Sequence, residues 1–313
     1  MDIRQLRYFV GIVQAGSLSR AADQLHVAQS AVSHHLNSLE SELDRQLLTR
    51  GPKGIMLTDA GAVLYQHAEA ILRHLESAKQ AVTTAALNGP SGHVSVGFPT
   101  TLATILGYEL LQRIRSVYPQ ILLYLTNGNG ALLRERLVNG RIDIAVLFAD
   151  QPERGLAVDP LLLEELFYVT TDPDTSPIRI ADAAQRPLVV TGPGSGSHLA
   201  VQEAFKKHGL TFKSVCEIEA LSTLRRAIAS GIGNAILPWS ALYDGDRTIA
   251  LNYRRFADAK LVRPVALCLS EVGQHSPAIE AVARTLKSLV RELVESGTWQ
   301  GVSLIADPAE LSA

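Results

Sequence analysis

"SLSRAADQLHVAQSAVSHHLNSLESEL", residues 17–43, decides how the amino-terminal part of this chain folds. Ser17 is placed to cap a short helix that turns Leu18, Ala21, Ala22 and Leu25 inward. His26 and Val27 make a turn, and a further helix runs from near Ala28 to about Gln46. At about 100° per residue, Val32, Leu36, Leu39 and Leu43 fall on one edge and form its buried stripe. Ser30, Ser33, His34, Asn37 and Ser41 gather on the opposite side, with Gln29 at the leading end. Small Ala21 and Ala22 let two steeply crossed helices approach closely, which is the packing of a helix-turn-helix. Upstream, Leu6, Phe9, Val10 and Val13 recur at helical spacing in a first helix that ends near Gly16.

In an ordinary three-helix bundle the polar face meets water and is rich in Lys and Glu. This face offers amide, imidazole and hydroxyl groups instead. Gln29 and Asn37 suit base edges or phosphates, Ser30 and Ser33 suit phosphate oxygens, and His34 suits either, so double-stranded DNA is the expected partner. Charge is the weak point: residues 1–58 carry six Lys or Arg against five acids. One such unit holds phosphate poorly, so a dimer is required. "LLTRGPKGIMLT" (47–58) reads as a two-stranded wing that presents Arg50 and Lys53 to the DNA backbone or minor groove. Thr58 then caps a helix over 59–87, about 45 Å long. Ala60, Leu64, His67, Ile71, Leu75, Ala78 and Val82 alternate in steps of four and three, as in a coiled-coil seam. Two copies paired along it set their reading helices about 34 Å apart on an inverted-repeat site.

"GSLSRAADQLHVAQSAVSHHLNSLESEL" with "LLTR", "LTDAGAVLYQHAEAIL" and a two-lobed remainder resembles a LysR-type transcriptional regulator over essentially the whole chain. "LHVAQ", "QLLTR" and "TDAG" resemble the nitrogen assimilation control branch of that family. The resemblance implies that Gln29, Ser30, Ser33 and His34 read bases and phosphates and that Lys53 is the wing contact. It also implies a dimer of dimers that answers to a small-molecule effector and communicates with RNA polymerase. Ser30 stands where proline is common, His34 where a basic residue is frequent, and Leu47-Leu48 where Leu-Phe is usual, so the preferred base sequence is this chain's own.

"NGPSG" (88–92) breaks the long helix, giving a winged helix-turn-helix (1–58), a linker helix (59–88) and an α/β effector-binding region (89–313). Strand, helix, strand, helix, strand is expected over His93–Phe98, Leu102–Val117, Ile121–Thr126, Ala131–Asn139 and Ile142–Phe148. The series repeats over Leu188–Thr191, His198–His208, Thr211–Glu219, Leu221–Ser230 and Ala235–Leu237. Strand-like crossovers are expected at Leu163–Thr170 and Leu261–Leu269, with a tail helix, Ser276–Leu293, returning to the first lobe. The first lobe then takes about 93–163 and 268–295, and the second about 164–267. The repeat agrees with the family's resemblance to type 2 periplasmic binding proteins, two lobes that close on a small molecule.

Ligands of open α/β sheets sit beyond the carboxyl ends of strands. Thr100 and Thr101, Asn127 and Asn129, and Phe148 occupy such places in the first lobe, and Ser195, Gly196, Ser197 and His198 in the second. Free N–H groups at helix starts favour an anion, so a carboxylate-bearing effector is expected. Turn-forming and helix-capping duties are the competing explanation for each residue. No Walker, G-x-S-x-G or H-E-x-x-H pattern is present, so neither enzyme chemistry, cofactor nor metal is expected. A composition of 47% apolar and 19% charged residues supports packed cores, and a net charge of −2 excludes coating nucleic acid or membranes by charge alone. Cys216 and Cys268 read as reduced thiols, and the charged opening MDIRQLRYFV lacks the apolar run of a leader, so a cytoplasmic location is expected. A stand-alone solute-binding protein is the alternative that the two lobes alone would allow.

Overall fold

The computed structural model describes residues 1–51, 54–84, 89–148, 155–192, 195–243, 251–271 and 276–305. The chain divides into two compact units, Met1–Asn88 with Asn139–Arg141, and Gly89–Val138 with Ile142–Ala313.

In the first unit α1 (Ile3–Ala15) opens on a capping box between Asp2 and Gln5 and closes on Gly16, whose φ of 66° is left-handed. Ser17 caps α2 (Leu18–Gln24), its hydroxyl accepting from the Arg20 N–H at 3.1 Å. The turn leads into α3 (Gln29–Leu43). Phe9, Ile12, Ala21, Val32 and Leu39 are completely buried where the three helices meet. Side chains no larger than methyl at 21 and 22 keep α2 close to its neighbours.

The end of α3 departs from the expected boundary near Gln46. Asp44 takes a left-handed conformation (φ 48°) and turns the chain after Leu43, which is exposed rather than part of the buried stripe. Leu47 and Leu48 fill the core in its place. The Glu40 carboxylate accepts both of their N–H groups, at 2.7 and 3.2 Å. They lead into the antiparallel hairpin of β1 (Leu48–Gly51) and β2 (Gly54–Leu57).

The helix α4 (Asp59–Thr84) follows. Thr58 accepts from the Gly61 N–H at 3.0 Å, and its own N–H donates to the Leu47 carbonyl at 3.0 Å. A Cβ at Gly61 would lie 1.9 Å from that carbonyl oxygen, so the helix rests on the backbone of Leu47, just before β1, at a point only glycine permits. The expected seam is split between two duties. Ala60 and Leu64 pack against the core of their own unit, beside the fully buried Ala68. His67, Ile71, Ala78 and Val82 remain exposed, as does Val63.

The second unit begins with β3 (Gly92–Pro99), α5 (Thr100–Val117), β4 (Ile121–Gly128), α6 (Gly130–Val138) and β5 (Ile144–Leu147). The long strand β6 (Leu156–Thr170) crosses from one lobe to the other. The second lobe adds α7 (Ile180–Ala184), β7 (Leu188–Val190), α8 (Gly196–Lys207), β8 (Ser214–Glu217), α9 (Leu221–Ala229), β9 (Ala235–Pro238) and β10 (Asn252–Arg254). The chain returns along β11 (Val262–Ser270) to α10 (Pro277–Glu295) and β12 (Val302–Leu304).

One sheet, ordered β10-β6-β11-β5-β3-β4, runs through both lobes, with β9 and β12 also paired to β6. β6 starts at Leu156, seven residues before the expected crossover strand, because Asp159-Pro160 does not break it. Its register with β11 shifts between Val265 and Ala266, and Ala266 faces Pro160, so an irregularity in the ladder accommodates a residue that cannot donate. The β6/β11 pair is thus a continuous two-stranded bridge between lobes. In the first lobe α10 lays Ala281, Val282, Leu286 and Leu289 on the core formed by α5 and β3, and Trp299 closes its end.

Candidate DNA-reading face and effector cleft

The exposed face of α3 carries Gln29, Ser30, His34 and Asn37, with Ser33 half-buried. Ala28 provides no side-chain cap, so the first-turn N–H groups of α3 keep no side-chain partner. Gln29 is steadied by Ser19, whose hydroxyl donates to its carbonyl oxygen at 3.1 Å. The side chains of Ser30, Ser33, His34 and Asn37 make no hydrogen bond to another described residue, and His34 only meets the ring of His35 edge-on. On the inner side Gln5 donates to Ser38 at 3.2 Å and Tyr8 meets the edge of His35 at 4.9 Å, which fixes the helix's rotation. Arg50 lies on β1 with its side chain outside the description, and Lys53 lies outside the described residues.

In the second unit the expected cleft residues divide. Thr101, at the start of α5, and Ser197, in the first turn of α8, face each other across a buried guanidinium. Arg263 on β11 donates from Nη1 to Ser197 Oγ at 2.8 Å and from Nη2 to Thr101 Oγ1 at 3.1 Å. It forks onto Glu164 of β6 through Nε (3.0 Å) and Nη2 (2.7 Å). Phe148 covers the guanidinium with its ring centroid 3.7 Å from Cζ, a cation–π contact. The same ring presses on Gly196, where a Cβ would come within 2.4 Å of it. Glu164 is fully buried and also accepts from Ser240 Oγ (2.5 Å) and Trp299 Nε1 (3.3 Å). Ser240 is held in turn by Thr104, which donates to its carbonyl at 2.8 Å. Burial pulls the Arg263 pKa down, and the charge and hydrogen bonds of Glu164 work against that fall.

The remaining candidates are placed differently. Ser195 caps α8 by accepting from the His198 N–H at 3.1 Å, and its hydroxyl also meets that of Thr191. His198 is buried, with Nδ1 3.1 Å from the Thr191 carbonyl, and borders a space of about 10 Å³ inside the second lobe, room for one water at most. Asn129 spends its side-chain oxygen on the Leu132 N–H, capping α6. Asn127 is exposed on β4, beside an open groove of about 380 Å³ shared with Tyr108 and Leu111. Thr100 is half-buried at the first position of α5, where none of the hydrogen bonds described reaches it. Of these five, none joins the hydrogen-bonded cluster around Arg263.

Residues 3–62 match the model of the bacterial regulatory helix-turn-helix protein, lysR family, and residues 87–291 match the LysR substrate binding domain. The chain belongs to the LysR family of transcriptional regulators. It is 40% identical to the nitrogen assimilation regulatory protein nac of Escherichia coli over 97% of this chain and all of the relative, and 38% identical to nac of Klebsiella aerogenes over the same shares. Full-length OxyR from Pseudomonas aeruginosa superposes with a TM-score of 0.70 at 25% identity, covering 93% of this chain and 95% of that one. CbnR bound to its target DNA also gives 0.70, at 23% identity, over 93% of this chain and 99% of that one, a likeness of fold. This LysR-family protein is therefore a DNA-binding transcriptional regulator with a helix-turn-helix and an effector-binding domain. Among its described residues, no helix is long and apolar enough to cross a membrane.

Two charged residues of this LysR regulator's cleft, Glu164 and Arg263, went unread in the sequence. Each lies within an apolar strand-like run, "LLLEELFYVT" and "LVRPVALCLS", and a charge in such a run is itself the signal, because unpaired charges are almost never fully buried.

Proposed function

We propose that two copies of the chain pair along α4 and set two α3 helices on an inverted-repeat promoter site, and that such dimers pair into tetramers. The observation that carries this reading is the α3 face: largely exposed, hydrogen-bonding, nearly uncharged, and, apart from the Ser19–Gln29 bond, without side-chain hydrogen-bond partners among the described residues. Gln29, Ser30, Ser33, His34 and Asn37 meet bases and phosphates there, with Arg50 and Lys53 on the wing. The exposed Val63, Ile71 and Val82 of α4 support pairing, since an apolar row on a long helix gains by being covered. CbnR has been solved on its target DNA, which supports the same use of the fold. The protein acts in the cytoplasm by binding, not by catalysis, and passes its state to RNA polymerase. Its effector carries a carboxylate, because the polar groups of both lobes converge on the cation of Arg263.

Footprinting on the DNA upstream of the chain's own gene tests this. Paired protections one or more helical turns apart are expected. Leu75→Pro, at an interior position of α4, costs the helix about 3 kcal/mol and removes dimerisation and DNA affinity together. A monomeric Leu75→Pro chain, as judged by sedimentation, that still binds as tightly as the parent refutes the reading.

A further inference from the structure

Among the described residues, a carboxylate already occupies the centre of the anion-complementary cleft. Glu164 takes four hydrogen bonds, from Arg263 Nε and Nη2, Ser240 Oγ and Trp299 Nε1. A carboxylate offers about four lone-pair sites, so this one is saturated. Arg263 in turn spends Nη1 on Ser197 and Nη2 on Thr101, under the face of Phe148. The two groups are almost wholly withdrawn from solvent, 4% and 0% exposed as side chains. A pair so buried persists only when geometry and further hydrogen bonds offset its lost hydration, and here both conditions hold.

An incoming anion would find the cation neutralised and its donors committed. It would also bring an uncompensated charge into a buried site. We propose that Glu164 is the cleft's internal ligand: its carboxylate takes the anion's place beside Arg263, and a carboxylate-bearing effector binds only by displacing it. The proposal rests on the reading of the cleft as an anion site and adds the competitor that sets its threshold. The tether gives that competitor an effective concentration in the millimolar range or above, so a simple carboxylate loses. A productive effector must add contacts of its own, for which Thr100 at the start of α5 is unspent. The same pair holds β6 and β11 to Thr101 of one lobe and Ser197 of the other, so the lobes close on a side chain when no metabolite is present.

Acetate is the probe, because Glu164→Ala removes a group of nearly that shape and leaves Arg263 unpaired. Titration calorimetry and thermal melting of the full-length chain are expected to show saturable acetate binding by Glu164→Ala, at least about tenfold tighter than by the wild type. The effect vanishes in Glu164→Ala/Arg263→Met. If Glu164→Ala folds poorly, added acetate is expected to restore folded protein where chloride at equal ionic strength does not. Equal acetate affinity in wild type and Glu164→Ala overturns the internal ligand, as does binding that survives loss of Arg263. Absence of both binding and rescue in Glu164→Ala overturns it too. DNA binding by the wild-type protein reports separately on the regulator reading, which fails only if that binding is absent.

Discussion

The reading face of α3 and the cluster around Arg263 are built from similar residue types and are opposite in state. On α3, Ser30, His34 and Asn37 are exposed and make no hydrogen bond within the described chain, and they ride on a helix whose far side is locked by Val32, Leu36 and Leu39. In the cleft, Ser197, Ser240, Glu164 and Arg263 are all buried and hydrogen-bonded to one another. Solvated polar groups exchange water for a partner at small cost. Buried ones stay intact only if each finds its bond inside the protein. The first surface is prepared for something external, and the second has completed itself.

That contrast makes its largest prediction for stability at Arg263. Arg263→Met strands the Glu164 carboxylate with Ser240 and Trp299 alone and is expected to destabilise the second unit by about 3–5 kcal/mol. Adding Glu164→Leu should recover most of the loss, because two apolar side chains of similar volume need no partners. Thermal unfolding of the three full-length proteins measures this. If the single variant melts with the wild type, the cluster is not the buried, self-satisfied network described.

On α3 the same kind of deletion should do the reverse. Gln29→Ala with Asn37→Ala removes two exposed amides and is expected to leave unfolding within about 0.5 kcal/mol of the parent. Discrimination between the preferred site and single-base variants should fall by about 1–3 kcal/mol for each base pair no longer read, with little change in the salt dependence of binding. Competition gel shifts at two salt concentrations separate these effects. A large loss of stability with unchanged discrimination would make the face structural and erase the comparison.

The two regions also differ in how far they could be read from residues alone. The α3 face and its helix-turn-helix are contiguous, so period, Ser17 as cap and Gly16 as stop all appear within a few turns of one another. The miss there was local: Asp44 enters the left-handed region without the glycine that usually announces it, which shortened α3 and released Leu43 to solvent. In the second unit apolar runs mark the strands, and the start of β6 was hidden because Asp159-Pro160 reads as a break where the sheet instead shifts register. Thr101, Phe148 and Ser197 were legible as residues at strand ends and helix starts. Their common partner was not, because Arg263 and Glu164 are 99 residues apart and only the pairing of β6 with β11 brings them together. For the charged centre of a polar cluster assembled by topology, charges within apolar runs are the trace the sequence leaves.

A second ion pair sharpens the contrast from the solvent side. Arg113 on α5 forks onto Glu292 of α10 with bonds of 2.8 and 2.7 Å, and Ser288 adds a third at 3.0 Å. The Arg113 hydrogen bonds, with that of Ser288, hold the Glu292 carboxyl down to about 2 from its ordinary 4.5. The folded pKa is the lower one, so the folded state gains from this carboxylate at any pH above 4.5. The gain is lost as pH falls from 4.5 toward 2, when the folded chain must also take up the proton. Glu292→Gln should therefore lower the melting temperature slightly at neutral pH and flatten part of its decline between pH 4.5 and 2, where the two proteins converge. The carboxylate is half exposed, so the effect should be the smallest of the three and should shrink in about 1 M salt, where screening reaches within about 3 Å. Parallel acid profiles for the two proteins at low salt would mean that the exposed fork adds nothing to stability. The Arg263 pair should not respond to salt in this way, since both of its partners are buried.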